Sequence, residues 1–180
     1  VATAQTFPAL TGRVIDAANI LSAETRSALD QKLKAHEDKT SDQIVVATIR
    51  SLEGYDIADY ANRLFRSWKL GQAKTNNGVL VLVAPNDRKI RVEVGYGLEG
   101  SLTDAVSRVI IAGAIASKFK QNDFGGGLNA GVDAIIGTLT GDDEWQQRAK
   151  MRNADEGSEA FPLLLLIVIV ILVFFILPNF

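Results

Sequence analysis

Gly95-Tyr96-Gly97-Leu98-Glu99-Gly100 sets a carboxylate among three glycines, after a strand-like run and before a helix-like one. In that context G-x-G-x-x-G is the dinucleotide fingerprint, whose glycines let backbone approach a pyrophosphate. The fingerprint belongs to a parallel βαβ unit whose next strand ends in an acid about 20 residues on. Here the following helix runs into Lys118-Phe119-Lys120-Gln121-Asn122-Asp123 and three glycines, and then another helix begins. Glu99 would also lie against an anionic pyrophosphate. No nucleotide cofactor is therefore expected. The chain has no cysteine and one histidine, His36. That excludes thiolate zinc sites, catalytic thiols and paired-imidazole sites, and leaves oxygen as the only abundant metal-ligand atom. No P-loop or cysteine–arginine nucleophile loop is present. Arg88, Lys89 and Arg91 could attract anions, but their alternation along a hairpin reads as a solvated face.

The elements that position these groups occupy a chain of 180 residues and 19.4 kDa, with 47% hydrophobic and 22% charged residues and a formal net charge of −2. This excludes a disordered chain and a strongly basic nucleic-acid binder. Val14-Ile15 reads as a short strand. Ser22 is placed to cap a helix over about 23–39, with Leu29, Leu33 and His36 on one face, so His36 is expected to be packed. Gln43–Arg50 is β-branched and reads as a strand. Asp56 can cap the next helix, where Ile57, Tyr60, Ala61, Leu64, Phe65 and Trp68 form an apolar stripe. Gly71 is expected to end it.

Gly78–Ala84 lacks alternation, as in a strand covered on both faces. After a Pro85–Arg88 turn, Lys89–Val94 alternates, predicting an antiparallel hairpin whose second strand has one wet face. A helix is expected from Leu102-Thr103-Asp104 to about Lys120, a break at Phe124–Gly127, and a last helix over Leu128–Leu139. These stripes predict an α/β fold, a three-layer αβα sandwich around a small mixed β-sheet.

A mean hydropathy of +0.12 is raised by the C-terminus. Leu163–Leu177 is an unbroken run of fifteen apolar residues. At about 1.5 Å per residue, with its flanks, it approaches the roughly 30 Å of a hydrocarbon core, which predicts a C-terminal transmembrane helix over 161–178. Residues 142–160 hold six acids and three bases. Cytoplasmic flanks favour Lys and Arg, so the preceding domain is expected outside the cytoplasm. Val1–Thr6 resembles a start left by signal cleavage. The expected organisation is an extended lead over 1–12, an α/β domain over 13–140, a polar, partly helical linker over 141–160, and the anchor.

Several ordered blocks resemble the TPM domain family. They are Val14–Ser22, Gln43–Thr48, Tyr60-Ala61 through Trp68 with Gly71 and Lys74, Asn77–Val83, and above all Arg91–Gly100. Asn19 stands where a glycine is more usual. The resemblance covers about residues 8–139. It implies an extracytoplasmic α/β sandwich, divalent-metal binding and an acid phosphatase activity, in a family of diverse functions.

The acids in the matching blocks are Asp16, Glu99 and Asp104, with Asp123 and Asp56 as weaker candidates. Carboxylates beside the carbonyls of a glycine-rich turn suit Ca2+ or Mg2+. Equally, Asp16 could organise a turn, Asp104 charge a helix start, and Glu99 be a solvated loop residue. The reading that follows is a membrane-tethered, Ca2+-binding accessory domain acting on a membrane-protein partner. The alternative is a divalent-metal-dependent acid phosphatase.

Overall fold

A computed structural model describes residues 6–158. The transmembrane helix expected over 161–178, and Val1–Gln5 of the lead, lie outside the described residues. Among the described residues no helix is long and apolar enough to cross a membrane.

The chain order is β1 (Val14–Asp16), α1 (Ala23–Thr40), β2 (Gln43–Thr48), α2 (Ile57–Ser67), β3 (Gly78–Ala84) and β4 (Lys89–Val94). A 3-10 turn over Tyr96–Leu98 precedes α3 (Asp104–Ile110), a π-helical segment (Ile111–Ala116) and α4 (Ser117–Phe119), followed by α5 (Phe124–Leu139) and α6 (Glu144–Ser158). The fold is α/β, with a mixed sheet in the order β1-β2-β3-β4. The first two pairings are parallel and β3–β4 is antiparallel.

Strand alternation sends side chains to two cores. Ile44, Val46, Val79, Val81, Val83 and Val92 meet α1, α3 and α5 on one face. Val45, Ala47, Leu80, Leu82 and Ala84 meet Tyr60, Ala61 and Leu64 of α2 on the other. His36 is buried, with Nε2 3.2 Å from Thr40 Oγ1 and 3.4 Å from Asp42 Oδ2.

The polar face of β4 is wet at Lys89 and only partly covered at Arg91 and Glu93. α2 packs across it, Asn62 Nδ2 donates to Glu93 Oε1 at 3.0 Å, and Arg91 pairs with Glu93 at 3.1 Å. An ion pair and an amide satisfy groups that alternation alone assigns to water. α2 ends at Trp68 rather than Gly71, and the Trp68 indole N–H donates to the Pro8 carbonyl, fastening the lead. Gly125–Gly127 do not break the chain but lie in the first turns of α5, capped by Asp123. Their missing side chains are filled by neighbours, Thr25 against Gly125 and the Phe119 ring against Gly127. The polar segment after 140 is helical over Glu144–Ser158, and its Ala149 and Trp145 pack on the first core.

The three glycines of the fingerprint differ in role. A Cβ on Gly95 would strike the Asn76 carbonyl and one on Gly97 the Thr75 carbonyl, whereas one on Gly100 would meet nothing within 4 Å. The first two let the turn after β4 lie against the segment that leads into β3. Gly97→Ala is expected to cost about 2–3 kcal/mol by overpacking. Gly100→Ala should stay within about 0.5 kcal/mol of the parent. Urea unfolding of both variants measures the contrast.

Candidate functional site

Asp16 ends β1, where the chain leaves the sheet edge. Its carboxylate accepts from the Ile20 N–H at 3.2 Å, the Leu21 N–H at 3.0 Å and the Thr48 hydroxyl at 2.6 Å. Asn19 takes a positive φ of 54° inside this turn, at the position where the family more often has glycine. The side chain thus closes the β1–α1 turn and ties it to β2, consuming its strongest acceptor directions in doing so.

Glu99 and Asp104 lie elsewhere. Both are exposed and line one groove of about 310 Å³ with Arg91, Glu93 and Thr103. Thr103 caps α3, accepting from the Val106 N–H at 3.2 Å, and Asp104 is the first helical residue. A carboxylate there is favoured by the helix dipole. Glu93 is occupied by Arg91 and Asn62.

The sheet keeps the expected three-carboxylate set Asp16, Glu99 and Asp104 apart. Asp16 is level with Thr48, Val83 and Ile90, on the far edge strand from β4. Three strand spacings come to about 14 Å, and the four residues from Ile90 to Val94 add about 13 Å along the strand. Asp16 and the turn that follows Val94 therefore occupy opposite corners of the sheet, roughly 20 Å apart. Among the described residues no group of three or more His, Cys, Asp or Glu side chains is placed to hold a metal ion. The single site of Asp16, Glu99 and Asp104 is thus not assembled, and only the last two share a groove.

The weaker candidates are helix caps. Asp123 accepts from the Gly126 N–H at 2.8 Å and pairs with Lys118 at 3.7 Å. Asp56 accepts from the Asp59 and Ala58 N–H groups, and these hold its carboxyl below the usual carboxylate range. Its folded pKa is lowered, so its contribution to α2 is present above the unfolded value of about 4 and is lost as pH falls through the folded one.

A larger cleft, about 610 Å³, opens at the carboxyl end of β3. Arg88, Lys89 and Lys120 stand around it, and Ile90, Phe119 and Phe124 lie beneath. The two phenylalanines meet edge to face, with ring centroids 5.0 Å apart. In open α/β sheets the carboxyl ends of the strands are where ligands bind. Arg88 and Lys89 were legible as cations, but as part of a solvated stripe with Arg91, which the structure sends to the other groove. Lys120, Asn122 and Phe124 had no signal of their own. They reach the cleft because α3, the π segment and α4 form one continuous run whose end returns to β3.

The TPM domain matches this chain over residues 14–138. No curated protein matches it. Among solved structures, the N-terminal domain of a P. gingivalis protein is similar, at 32% identity and a TM-score of 0.67, covering 72% of this chain and 82% of that one. The BA42 protein of Bizionia argentinensis is similar at 27% identity and a TM-score of 0.58, covering 69% and 83%. The N-terminal domain of the cg2496 protein of Corynebacterium glutamicum shares the fold at 14% identity and a TM-score of 0.57, covering 77% and 87%.

Asp16→Asn keeps the shape but puts an amide N–H₂ where an acceptor is needed. The expected loss is about 1–3 kcal/mol. The same drop in melting temperature should appear with calcium and with chelator. Differential scanning calorimetry in both conditions tests this, and a drop confined to the calcium sample would make Asp16 a metal ligand after all.

Proposed function

The chain belongs to the TPM domain family, and from that premise we propose that it is a non-enzymatic module, tethered by its apolar 163–177 run and held outside the cytoplasm, that docks on a membrane-protein complex. The observation that supports this reading is the cleft at the end of β3. Arg88 and Lys120 beside Phe119 and Phe124 suit an anionic partner. General acid–base work needs a carboxylate or imidazole within hydrogen-bond reach of the reacting group. The cleft's lining is instead Arg, Lys, Asn and apolar side chains.

A divalent-metal-dependent acid phosphatase is the second reading, and the observation in its favour is that Glu99 and Asp104 face one groove. Calcium takes about six to eight oxygens, and two uncommitted carboxylates beside the Arg91 guanidinium fall short of that. Mg2+ keeps several waters and is bound through one or two carboxylates, so it fits the pair better. When bound, such an ion supplies Lewis-acid polarisation of a phosphoryl oxygen.

Crosslinking in cells that make the full chain, followed by a phosphatase assay on the purified protein, separates the two. The module reading expects a membrane protein in the crosslinked product. It also expects that protein's yield to fall several-fold in Lys120→Glu, at unchanged melting temperature. Phosphomonoester turnover that co-purifies with the chain, requires Mg2+ and disappears in Glu99→Gln would overturn it in favour of the enzyme.

A further inference from the structure

Arg88 and Lys120, at the cleft, are not matched within the fold. Among the described residues Arg88, Lys89 and Lys120 enter none of the ion pairs, whereas Lys118, two positions from Lys120, is paired with Asp123. Lys89 lies near enough to Asp56 to act on its charge, without an ion pair between them. Arg88 is held at a φ of 53° in the β3–β4 turn, its N–H donating to the Pro85 carbonyl at 3.1 Å. Asn122, also on the cleft, has a φ of 60°. Glycine is the unstrained residue at such positions. Arg88 thus keeps a long cation in the left-handed region, as Lys69 does at a φ of 52°.

The floor has a second unusual feature. The six-residue π-helical segment Ile111–Ala116 interrupts the run from Asp104 to Phe119. π segments concentrate at functional sites. Here Ile115 enters the notch left by Gly131, and Phe119 the one left by Gly127. Ala116, Phe119 and Lys120 are thereby set on the cleft.

The arrangement of charge decides what fits. Arg88 comes from the hairpin turn and Lys120 from the end of α4, so cations flank an apolar strip from two elements, while the Lys89 side chain leaves β4 on the face that α2 covers. The N-terminus of α5 reaches the cleft at Phe124, but its Gly126 N–H already donates to the Asp123 carboxylate at 2.8 Å. Lys120 is a flexible point charge without the fork that grips a compact dianion. Several carboxylates spread along a chain, with a large apolar side chain between them, match this better than one phosphate does. A volume of about 610 Å³ holds a few side chains, within the roughly 300–1,000 Å³ of ordinary ligand sites.

We infer that the cleft receives an extended acidic segment of a partner protein, with its carboxylates on Arg88 and Lys120 and an apolar side chain over Phe119 and Phe124. This rests on the docking-module reading and adds the chemistry of the docked segment. The test is fluorescence anisotropy on the full chain in detergent micelles. The probe is a labelled, capped octapeptide of glutamates flanking two phenylalanines. Two controls are the same peptide with lysine for glutamate and with alanine for phenylalanine, and inorganic phosphate and phenyl phosphate serve as competitors.

The acidic peptide should bind at least tenfold tighter than either control. Its affinity should fall as salt rises, and at least tenfold in Lys120→Glu. Arg88→Gly should weaken binding several-fold while raising the melting temperature, a split that a structural role for Arg88 would not produce. Equal binding of the lysine peptide, no binding of the acidic one, or displacement by phenyl phosphate at lower concentration than by unlabelled peptide would overturn the inference. If the peptide fails while the charge-reversed variant still loses its crosslinked membrane partner, only the chemistry of the segment is wrong. If both fail, the docking reading falls with it.

Discussion

All seven residues of Gly78–Ala84 are buried, so this strand needs apolar cover on both faces and hydrogen-bonded neighbours on both edges. Leu80, Leu82 and Ala84 demand one helical layer, and Val79, Val81 and Val83 another. β2 and β4 must then flank it, and α2 must lie across the first face while α1, α3 and α5 share the second. Even the entry to the strand is fixed by buried polar groups. Asn77 donates through Nδ2 to the Ser41 carbonyl at 2.7 Å, while its Oδ1 accepts from the Gln72 N–H at 2.9 Å and the Thr75 hydroxyl at 2.8 Å. An amide is needed here, because one group must donate and accept at once in a place closed to water.

The same strand separates two chemistries. The Glu99 and Asp104 groove follows the end of β4 beside the start of β3, and the cationic cleft lies at β3's other end. The two grooves therefore lie at opposite ends of the sheet. Groups so far apart, with no shared partners, act additively to a good approximation. An ion in the acidic groove would not supply the cleft with a catalytic group, and a segment in the cleft would not alter the ligands of that ion.

Local chemistry was legible along most of the chain. The unbroken apolar run of β3 announced a strand covered on both sides, and the Ser22 and Asp56 caps fixed the starts of α1 and α2. The helical face of Leu29, Leu33 and His36 placed the one histidine in the core. Each of these follows from a period or a cap, which lives within a few residues. What failed depended on distant neighbours. Gly125–Gly127 look like a break until Phe119 and Thr25 are seen to occupy their missing side chains, and β4's polar face looks wholly wet until α2 partly covers it. The π segment has no sequence mark, and its Ile115 packs against Gly131, a neighbour sixteen positions on.

The carboxylates illustrate the limit most clearly. Asp16, Glu99 and Asp104 stand in comparable local settings, each near a turn and a helix start, and nothing in their spacing distinguishes a shared site from separate ones. Strand order decides it. With β1 and β4 as opposite edges, any acid at the end of β1 is remote from any acid after β4, whatever their residue types. The argument runs the other way for the cleft. Its cations come from a hairpin and a helix end more than thirty positions apart in the chain, and the antiparallel return of β4 makes them neighbours. Family membership supplies the frame in which both outcomes are fixed, but the chemistry resides in which side chains the frame brings together. By that criterion the cleft, with Arg88 and Lys120 outside every ion pair among the described residues, leaves charge available for another molecule.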